Sequence, residues 1–274
     1  MPDLCELIEK LGLKNRPVCI HSSMRSFDPR LSTTDLISAF LDSGCTLLVP
    51  TFSYFFEINA PAQDQPARNG MDYSRRLESS ERIYDQNQNA LSVEDMGTFS
   101  AAVLDCRDRV RGNHPLNSFT ALGHLANELI SGQGWEDVYA PLRSLAELGG
   151  KLLLMGTDLT SLTFIHYAEM LAGRDLFIRW AWDANHQSAR ARTGSCSRAF
   201  NQLAPALAPF SIELPFQNSL WQVFPTESSL GALKGSIARD PEITHCADNR
   251  CLRCQDAVAG GPVTNDPALG STKG

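Results

Sequence analysis

The sequence lacks a surplus of basic residues, an export signal and any long apolar run. Its 31 acidic residues outnumber its 24 lysines and arginines, which gives a net charge of −7. This balance argues against nucleic acid as a partner, because phosphate backbones bind to basic surfaces. No run approaches the roughly 18 apolar residues of a membrane span, which argues against a membrane partner. The N-terminal residues carry acids and no apolar stretch, unlike a signal peptide, so we expect a cytoplasmic protein.

Cysteine is not scarce, but its distribution along the chain is uneven. The sequence contains eight cysteines, and without an export signal reduced thiols are favoured over disulfides. Some of them adjoin apolar runs, which is typical of small buried side chains. The scattered ones, which we predict to be reduced core thiols, are Cys5, Cys19, Cys45, Cys106 and Cys196.

The other three cysteines form a cluster near the C-terminus. Cys246, Cys251 and Cys254 have a Cys-x4-Cys-x2-Cys spacing, with His245 alongside. Cys-x2-Cys is the usual pair that binds zinc, and three thiolates plus one imidazole would complete a tetrahedron. Adjacent residues rarely bind the same ion, so the fourth ligand stays open. A structural zinc is one hypothesis, and reduced surface thiols or a redox-active pair at Cys251 and Cys254 are the alternatives.

Short apolar runs at residues 18–20, 45–49 and 151–155 predict buried strands. Helical patterns alternate with them along the chain. This alternation is typical of an α/β fold with a mostly parallel central sheet. The hydrophobic content of 43% is enough for a substantial core.

The chain is predicted to contain one main domain and two C-terminal segments. Residues 1–242 form the domain, and within it the polar stretch 57–95 is a long inserted loop. Long loops inside compact domains are commonly functional, so we expect a flap with helical fragments near residues 75–83. Residues 243–261 form the cysteine-rich segment. The tail at 262–274 is rich in Pro, Gly, Ser and Thr and is predicted to be disordered.

The stretch 158–169 follows the third apolar run and predicts a turn leading into a helix over 161–173. His166 and Glu169 are three residues apart and therefore share one helix face. The helix begins near the C-terminal ends of the central strands, where open α/β sheets bind their ligands. A histidine beside a carboxylate can act as an oriented general base.

Four segments in order resemble a known family. They are Val-Cys-Ile-His-Ser-Ser-Met at 18–24, Gly-Cys-Thr-Leu-Leu-Val-Pro-Thr-Phe-Ser at 44–53, Met-Gly-Thr-Phe at 96–99 continued by 111–123, and 152–169. They are similar to motifs of the aminoglycoside 3-N-acetyltransferases, also called antibiotic N-acetyltransferases. Together they cover roughly residues 16 to 200, and four motifs in order are far more specific than one.

The resemblance implies a single-domain αβα fold with a mostly parallel sheet, distinct from the GCN5-like acetyltransferases. It implies transfer of an acetyl group from acetyl-CoA to an amine of an aminoglycoside or a related amino sugar, in a monomer or homodimer. Positions matching the family's motifs and the polar turns beside them complete the predicted site. The catalytic group is His166, Glu169, Asp137 and His21, and the acetyl-CoA group is Ser22, Ser23, Arg25, Ser26, Thr51, His114 and Ser118.

Acetyl transfer from a thioester requires a deprotonated amine, a stabilised carbonyl oxygen and a held cofactor. We predict that His166 removes the amine proton and that either Glu169 or Asp137 orients its imidazole. Ser22 and Ser23 are candidates for the oxyanion or the pantetheine arm. The phosphates of CoA are expected to meet an arginine of the first turn, either Arg25 or Arg30.

The transfer is predicted to be direct, because Cys19 and Cys45 fall in buried strands and lack the exposure that a nucleophile needs. Some positions depart from the family pattern, among them residues 25–30 after the first turn and the insertion at 57–95. Because of these departures, the sequence does not identify the acceptor amine. The alternatives are a biosynthetic N-acyltransferase acting on another amine, or a non-catalytic binding protein with the cysteines as a zinc module.

Overall fold

A computed structural model describes residues 4–27, 32–78 and 80–264. The described chain forms a seven-stranded sheet and a separate two-stranded hairpin. The sheet strands are β1 (Pro17–Ser22), β2 (Thr46–Pro50), β3 (Val110–Arg111), β4 (Phe119–Leu122), β5 (Lys151–Met155), β8 (Ile212–Phe216) and β9 (Ser219–Pro225), and the hairpin strands are β6 (Phe177–Trp182) and β7 (Ser188–Thr193).

The sheet has the strand order β3-β4-β2-β1-β5-β9-β8. The three predicted strands are its centre, and β1 pairs in parallel with both β2 and β5. Strands β4 and β9 run antiparallel to their neighbours, so β3 and β8 return to the direction of the centre. The predicted α/β fold with a mostly parallel sheet is confirmed, with five of seven strands in one direction. The C-terminal ends of the parallel strands therefore meet along one edge.

Helices cover both faces of this sheet and produce the three-layer αβα arrangement. One face packs against the first three helices, and the other packs against the later ones. The helices are α1 (Leu4–Lys10), α2 (Thr33–Asp42), α3 (Val93–Leu104), α4 (Ala126–Ile130), α5 (Ala140–Glu147), α6 (Phe164–Leu171), α7 (Ala204–Leu207), α8 (Thr226–Arg239) and α9 (Leu252–Val258).

Side chains of the central strands alternate between the two layers. In β5, Leu153 and Met155 pack toward α1–α3, whereas Leu152 and Leu154 pack toward α4–α8. All four are fully buried. A strand covered on both faces is apolar at every position, which is why these strands read as continuous apolar runs in the sequence.

The polar insertion differs from its prediction. In the described residues 75–78 and 80–83 no helical fragment forms, and the one 3₁₀ turn of the stretch lies at Ala62–Asp64. The insertion is held instead by backbone contacts to the rest of the chain. Ile58 bridges to Trp180 in the hairpin, and Arg68 bridges to Val263. Contacts with distant segments leave no local pattern in the sequence. The helical fragments were therefore predicted where none forms.

The ends of two other predicted segments also change. The helix expected over 161–173 is divided into a 3₁₀ turn, Leu159–Ser161, and α6. Val263 donates a backbone hydrogen bond to Arg68, so ordered structure extends into the segment predicted as a tail, and residues 265–274 lie outside the described ranges. No helix within the described ranges is long and apolar enough to cross a bilayer.

Replacement of Trp221 in β9 tests the packing of the α1–α3 layer. Trp221 is fully buried and stacks on Phe40 at a centroid distance of 6.1 Å, with Phe27 and Phe216 at its edges. Trp221→Ala should lower the free energy of unfolding by about 3–5 kcal/mol, measured by urea denaturation. Its neighbour Leu220 is 43% exposed, so Leu220→Ala should change that free energy by about 0.5 kcal/mol or less. Equal losses in the two variants would contradict this packing.

Candidate functional site

A cavity of about 290 Å³ opens where the parallel strands end. The last residues of β1 and β2 form its floor, and α6 and the loop after β7 form its walls. We call it the His166 cavity. Its lining includes His21, Ser22, Pro50, Phe52, Asn117, Tyr139, Thr163, His166, Gly194, Ser195 and Phe200. The predicted location of the site, at the C-terminal edge of the sheet, agrees with this cavity.

His166 lies in the first turn of α6 and is held from several sides. Its Nδ1 is 2.8 Å from Oε2 of Glu169, as expected for side chains three apart on one helix. The imidazole lies parallel to the ring of Tyr139 at 6.5 Å and meets Phe200 edge-on at 4.7 Å. An ionised carboxylate only accepts hydrogen bonds, so Nδ1 carries the proton. Nε2 is therefore the ring nitrogen available to a substrate.

The carboxylate of Glu169 is almost fully buried, with 3% of its surface exposed. Oε2 also accepts a hydrogen bond from Ser195 at 2.6 Å, and Oε1 accepts from Thr244 at 3.0 Å and from Arg174. Burial alone would raise the pKa of Glu169. The hydrogen bond and charge of His166, the charge of Arg174 and the hydrogen bond of Ser195 outweigh it and lower the pKa. The carboxylate is thus held ionised in the interior.

The backbone at Gly194 approaches the imidazole so closely that no side chain fits. A Cβ at this position would lie 2.8 Å from Cγ of His166 and would also collide with the hydroxyl of Tyr139. Gly194 follows β7 directly and precedes Ser195. The absence of a side chain therefore lets Ser195 reach Glu169 while His166 stays in place.

Asp137, the other carboxylate predicted to orient His166, does not contact it. It forms an ion pair of 2.6 Å with Arg143, and 42% of its side chain is exposed. The structure corrects this assignment, since Glu169 alone of the two meets the imidazole. Helical spacing favours Glu169, whereas the loop carrying Asp137 turns toward α5.

His21 lines the cavity but is neutral over the physiological range. Burial lowers its pKa to about 4. Its Nε2 lies 3.7 Å from the thiol of Cys19, which is itself fully buried. His21 is therefore positioned at the cavity as predicted, as an uncharged ring.

Three residues predicted to face acetyl-CoA are internal instead. Thr51 bonds to Ser118 and Thr120 within a fully buried hydroxyl network. His114 is also fully buried, accepts backbone N–H bonds from residues 116 and 117 at Nδ1, and lies 2.9 Å from the carbonyl of Arg192 through Nε2. Burial lowers its pKa to about 4. These side chains form hydrogen bonds with buried backbone groups and with one another. A sequence motif alone does not distinguish this structural role from ligand binding.

The side chains of the turn after β1, at residues 22–26, point in different directions. Ser22 lines the His166 cavity, whereas the backbone N–H of Ser23 donates to Met155. Ser26 donates to the carbonyl of Ser23 at 2.7 Å, so its hydroxyl closes the turn. Arg25 is exposed, and Arg30 lies outside the described residues.

Several residues of the site carried no signal in the sequence. Ser195, Arg174 and Thr244 surround Glu169, yet Thr244 is 75 positions away from it. Asn117 is 8% exposed at the cavity wall, and its Oδ1 has no hydrogen-bond partner. Long-range folding brings Ser195 and Thr244 to Glu169, so these two contacts have no local pattern, whereas Arg174 is five residues from Glu169. The unpartnered amide oxygen is available to a ligand.

A second and larger cavity, of about 1160 Å³, shares His166 and Ser195 with the first. We call it the arginine-lined cavity. Three of its arginines have carboxylate partners, at 3.4 Å for Arg75–Asp72, 3.4 Å for Arg179–Glu57 and 3.7 Å for Arg198–Asp248. Its full set of arginines is Arg75, Arg76, Arg179, Arg198, Arg250 and Arg253. Six arginines against three paired carboxylates leave a positive surplus beside the candidate base.

The C-terminal cysteines gather a fourth thiol, which the sequence analysis assigned to the core. Their Sγ atoms and that of Cys196 all lie within 4.8 Å of one another. His245 is directed elsewhere, with Nδ1 2.8 Å from the carbonyl of Cys246. We call Cys196, Cys246, Cys251 and Cys254 the thiol cluster.

Residues 19–204 match the family model described as aminoglycoside 3-N-acetyltransferase. The chain belongs to this family. It is 44% identical over 66 residues to aminoglycoside N(3)-acetyltransferase VII of Streptomyces paromomycinus, covering 23% of each chain. It is 32% identical over 173 residues to aminoglycoside N(3)-acetyltransferase IX of Micromonospora chalcea, covering 59% of this chain and 58% of the relative. The matches thus span less than two thirds of either relative's length.

Solved structures of aminoglycoside acetyltransferases share the fold. AAC(3)-IVa as apoenzyme superposes with a TM-score of 0.73 at 21% identity, over 94% of this chain and 95% of the other. AAC-IIIb in a binary complex with CoASH superposes with a TM-score of 0.69 at 17% identity, over 86% and 95%. At these identities the likeness shows a shared fold.

Replacement of Gly194 tests how closely this family member packs its backbone on His166. Gly194→Ala should lower the free energy of unfolding by about 1–3 kcal/mol, because the added methyl overlaps the ring of His166 and the hydroxyl of Tyr139. It should also shift the ring resonances of His166 in NMR spectra. Gly235→Ala is the matched control, since no atom lies within 4 Å of a Cβ at that helical position. A Gly194→Ala protein with wild-type stability and an unmoved His166 would contradict the close approach.

Proposed function

We propose that the protein is an acetyl-CoA-dependent N-acetyltransferase that acts on an amine of an aminoglycoside or a related amino sugar. The observation that carries the proposal is the His166–Glu169 pair at the wall of a cavity at the strand ends. Family membership supports the reaction class. A fold neighbour described as a binary complex with CoASH supports acetyl-CoA as co-substrate.

In the proposed reaction the acceptor amine attacks the thioester carbon in its neutral form, and Nε2 of His166 takes a proton from the nitrogen as the C–N bond forms. The C–S bond of the adduct then breaks, and the same proton passes from Nε2 to the departing thiolate, so that a neutral amine and acetyl-CoA give the amide and CoASH. Glu169 stabilises the imidazolium that forms between these steps, because its charge is held 2.8 Å from Nδ1. Its three other donors prevent the carboxylate from taking up the proton itself.

Direct transfer is favoured over an acetyl-cysteine intermediate. Among the described residues no cysteine lines the His166 cavity. Cys19 has a histidine neighbour but no exposure, and burial raises the pKa of its thiol to about 12. A thiol with this pKa supplies almost no thiolate at neutral pH.

Removal of the imidazole tests the assigned base. His166→Ala should lower kcat by about 10²- to 10⁴-fold, measured by thiol release from acetyl-CoA, because the amine must then lose its proton to water. His186→Ala is the matched control, since His186 is 48% exposed and pairs with Glu81 away from both cavities. Circular dichroism should show both variants folded. Wild-type turnover in His166→Ala would remove this residue from the mechanism.

A second acceptor class is favoured by the arginine-lined cavity. An aminoglycoside carries several ammonium groups, and a positive surplus beside the base repels them. An amine that also carries carboxylate or phosphate groups would instead be attracted by Arg76 and Arg250, which line this cavity. The second candidate function is therefore biosynthetic N-acetylation of an anionic amine.

An acceptor panel separates the two candidates and the non-catalytic alternative. If the acceptor is anionic, Arg76→Ala and Arg250→Ala should each raise its KM by about three- to tenfold with little change in kcat, because one partly solvated charge contact is lost. Arg107→Ala, an arginine outside both cavities, should leave KM unchanged. For an aminoglycoside acceptor the same variants should leave KM unchanged or lower it. Absence of turnover with every amine would favour a binding protein.

A further inference from the structure

We propose that the thiol cluster binds one structural zinc ion, and that this ion joins the two chain segments whose hydroxyls hold Glu169. The part concerning Glu169 rests on the proposed function. The metal site itself rests only on the arrangement of the cysteines. The sequence left the fourth ligand of this site open, and the arrangement of the thiols assigns that position to Cys196.

The spacing of the sulfur atoms suits tetrahedral zinc. Zinc binds thiolates at about 2.3 Å, so four sulfurs at the corners of a tetrahedron lie about 3.8 Å apart. The four Sγ atoms of the cluster lie within 4.8 Å of one another, so closure on an ion requires only small side-chain movements. Three of the cysteines are contributed by one short segment, and Cys196 lies 50 residues before Cys246.

The surroundings of the cluster supply hydrogen-bond donors to two of its sulfur atoms. Cys196, Cys246 and Cys254 are buried, with at most 7% exposure, so three of the four ligands are shielded from solvent, and Cys251 is partly buried. The backbone N–H of Cys246 donates to Sγ of Cys254 at 3.4 Å, and Nε of Arg198 donates to Sγ of Cys196 at 3.4 Å. Four thiolates and Zn²⁺ carry a net charge of −2, which the guanidinium partly offsets. Such outer contacts orient metal ligands in known sites.

Tetrahedral all-sulfur coordination selects zinc, with iron as the other metal of this geometry. The Cys-x2-Cys pair at 251 and 254 begins α9, and the backbone N–H of Cys254 donates to the carbonyl of Cys251. This is the local pattern of a zinc knuckle, completed here by thiols from outside the pair. The closed set of four protein ligands leaves no position for substrate. The ion is therefore structural.

The cluster lies next to both segments that contact the Glu169 carboxylate. Ser195, which donates to Oε2 at 2.6 Å, immediately precedes Cys196. Thr244, which donates to Oε1 at 3.0 Å, lies two residues before Cys246. These two segments come from distant parts of the chain and meet at the cluster. An ion bound there would fix their separation, and with it the position of the carboxylate and of His166.

The same cluster also connects to the polar insertion. Cys254 lies in α9, and Asp256 of that helix accepts a hydrogen bond from the backbone of Gly70 at 2.6 Å. Arg68 binds the carbonyls that follow α9, at Ala259 and Gly261. The walls of the arginine-lined cavity on both sides thus depend on the placement of α9.

Metal analysis of the purified full-length chain tests the site independently of activity. Protein expressed with added zinc and dialysed without chelator should contain about one zinc ion per chain, since four protein ligands bind structural zinc tightly. Replacement by Co²⁺ should give the intense thiolate-to-cobalt absorption of a tetrahedral sulfur site. Cys196→Ser and Cys254→Ser should each lose most of the metal. Cys106→Ser, a thiol outside the cluster, is the matched control and should retain it.

Three results would overturn the metal site. The first is wild-type protein without zinc, whether its thiols titrate as free or are paired as disulfides. The second is an iron content that replaces zinc under the same conditions. The third is full zinc content in Cys196→Ser, which would return the fourth position to another ligand. Cobalt titration of the wild-type chain gives the answer even if a variant fails to fold.

Kinetics test whether the ion positions Glu169. Cys196→Ser should lower kcat to a similar extent as Ser195→Ala, by about tenfold or more. The KM for acetyl-CoA should change little in both variants, and Cys106→Ser should match the wild type. A zinc-free Cys196→Ser with wild-type kcat would overturn the positioning role. Wild-type protein that holds zinc but acetylates no amine would support the metal site and contradict the proposed function, so the two failures are distinct.

Discussion

The buried charge of Glu169 is the constraint on which the rest of the site depends. A carboxylate in the interior is tolerated only when its oxygens are fully paired, because desolvation of an isolated charge is very costly. Here four donors meet it, from α6, from the loop after β7, and from the segments around Arg174 and Thr244. His166 and Arg174 lie three and five residues from Glu169, whereas Ser195 and Thr244 come from distant parts of the chain. The ionised carboxylate is therefore stable in the interior only when the fold brings all four donors to it.

This arrangement links the candidate chemistry to the C-terminal segment. Arg174 bonds to the carbonyl of Pro241 at 2.5 Å as well as to Thr244, so the turn before the thiol cluster belongs to the environment of Glu169. The cysteine-rich segment is consequently part of the site and not an appended module. The same argument explains why Gly194 has no side chain. The loop must bring Ser195 to the carboxylate while passing directly against the imidazole.

The two cavities differ in character although they share His166. The cavity at the strand ends contains the neutral His21 and the unpartnered amide oxygen of Asn117, and its charged lining is balanced, with Glu57 and Asp95 against Arg179 and Arg253. The neighbouring cavity is lined by arginines in a protein whose net charge is −7. A local positive surplus against the overall charge affects which substrates approach. Family membership favours an aminoglycoside as the acceptor, whereas the positive charge of the arginine-lined cavity favours an anionic amine. Turnover with a panel of amines distinguishes the two.

The sequence by itself determined the layers of the fold and the centre of the site. Apolar runs buried on both faces produce the parallel strands, and helical spacing brings His166 to Glu169, because both patterns are local. It did not determine which polar residues face a ligand, since Thr51, His114 and Ser118 have the composition of a binding site yet satisfy buried backbone and one another. Only the tertiary structure decided that Asp137 pairs with Arg143 and that Cys196 joins the thiol cluster. Asp137 and Arg143 are six residues apart across the turn into α5, and Cys196 lies 50 residues before Cys246. Neither contact follows from helical or strand periodicity, because a turn sets the first and the packing of distant segments sets the second.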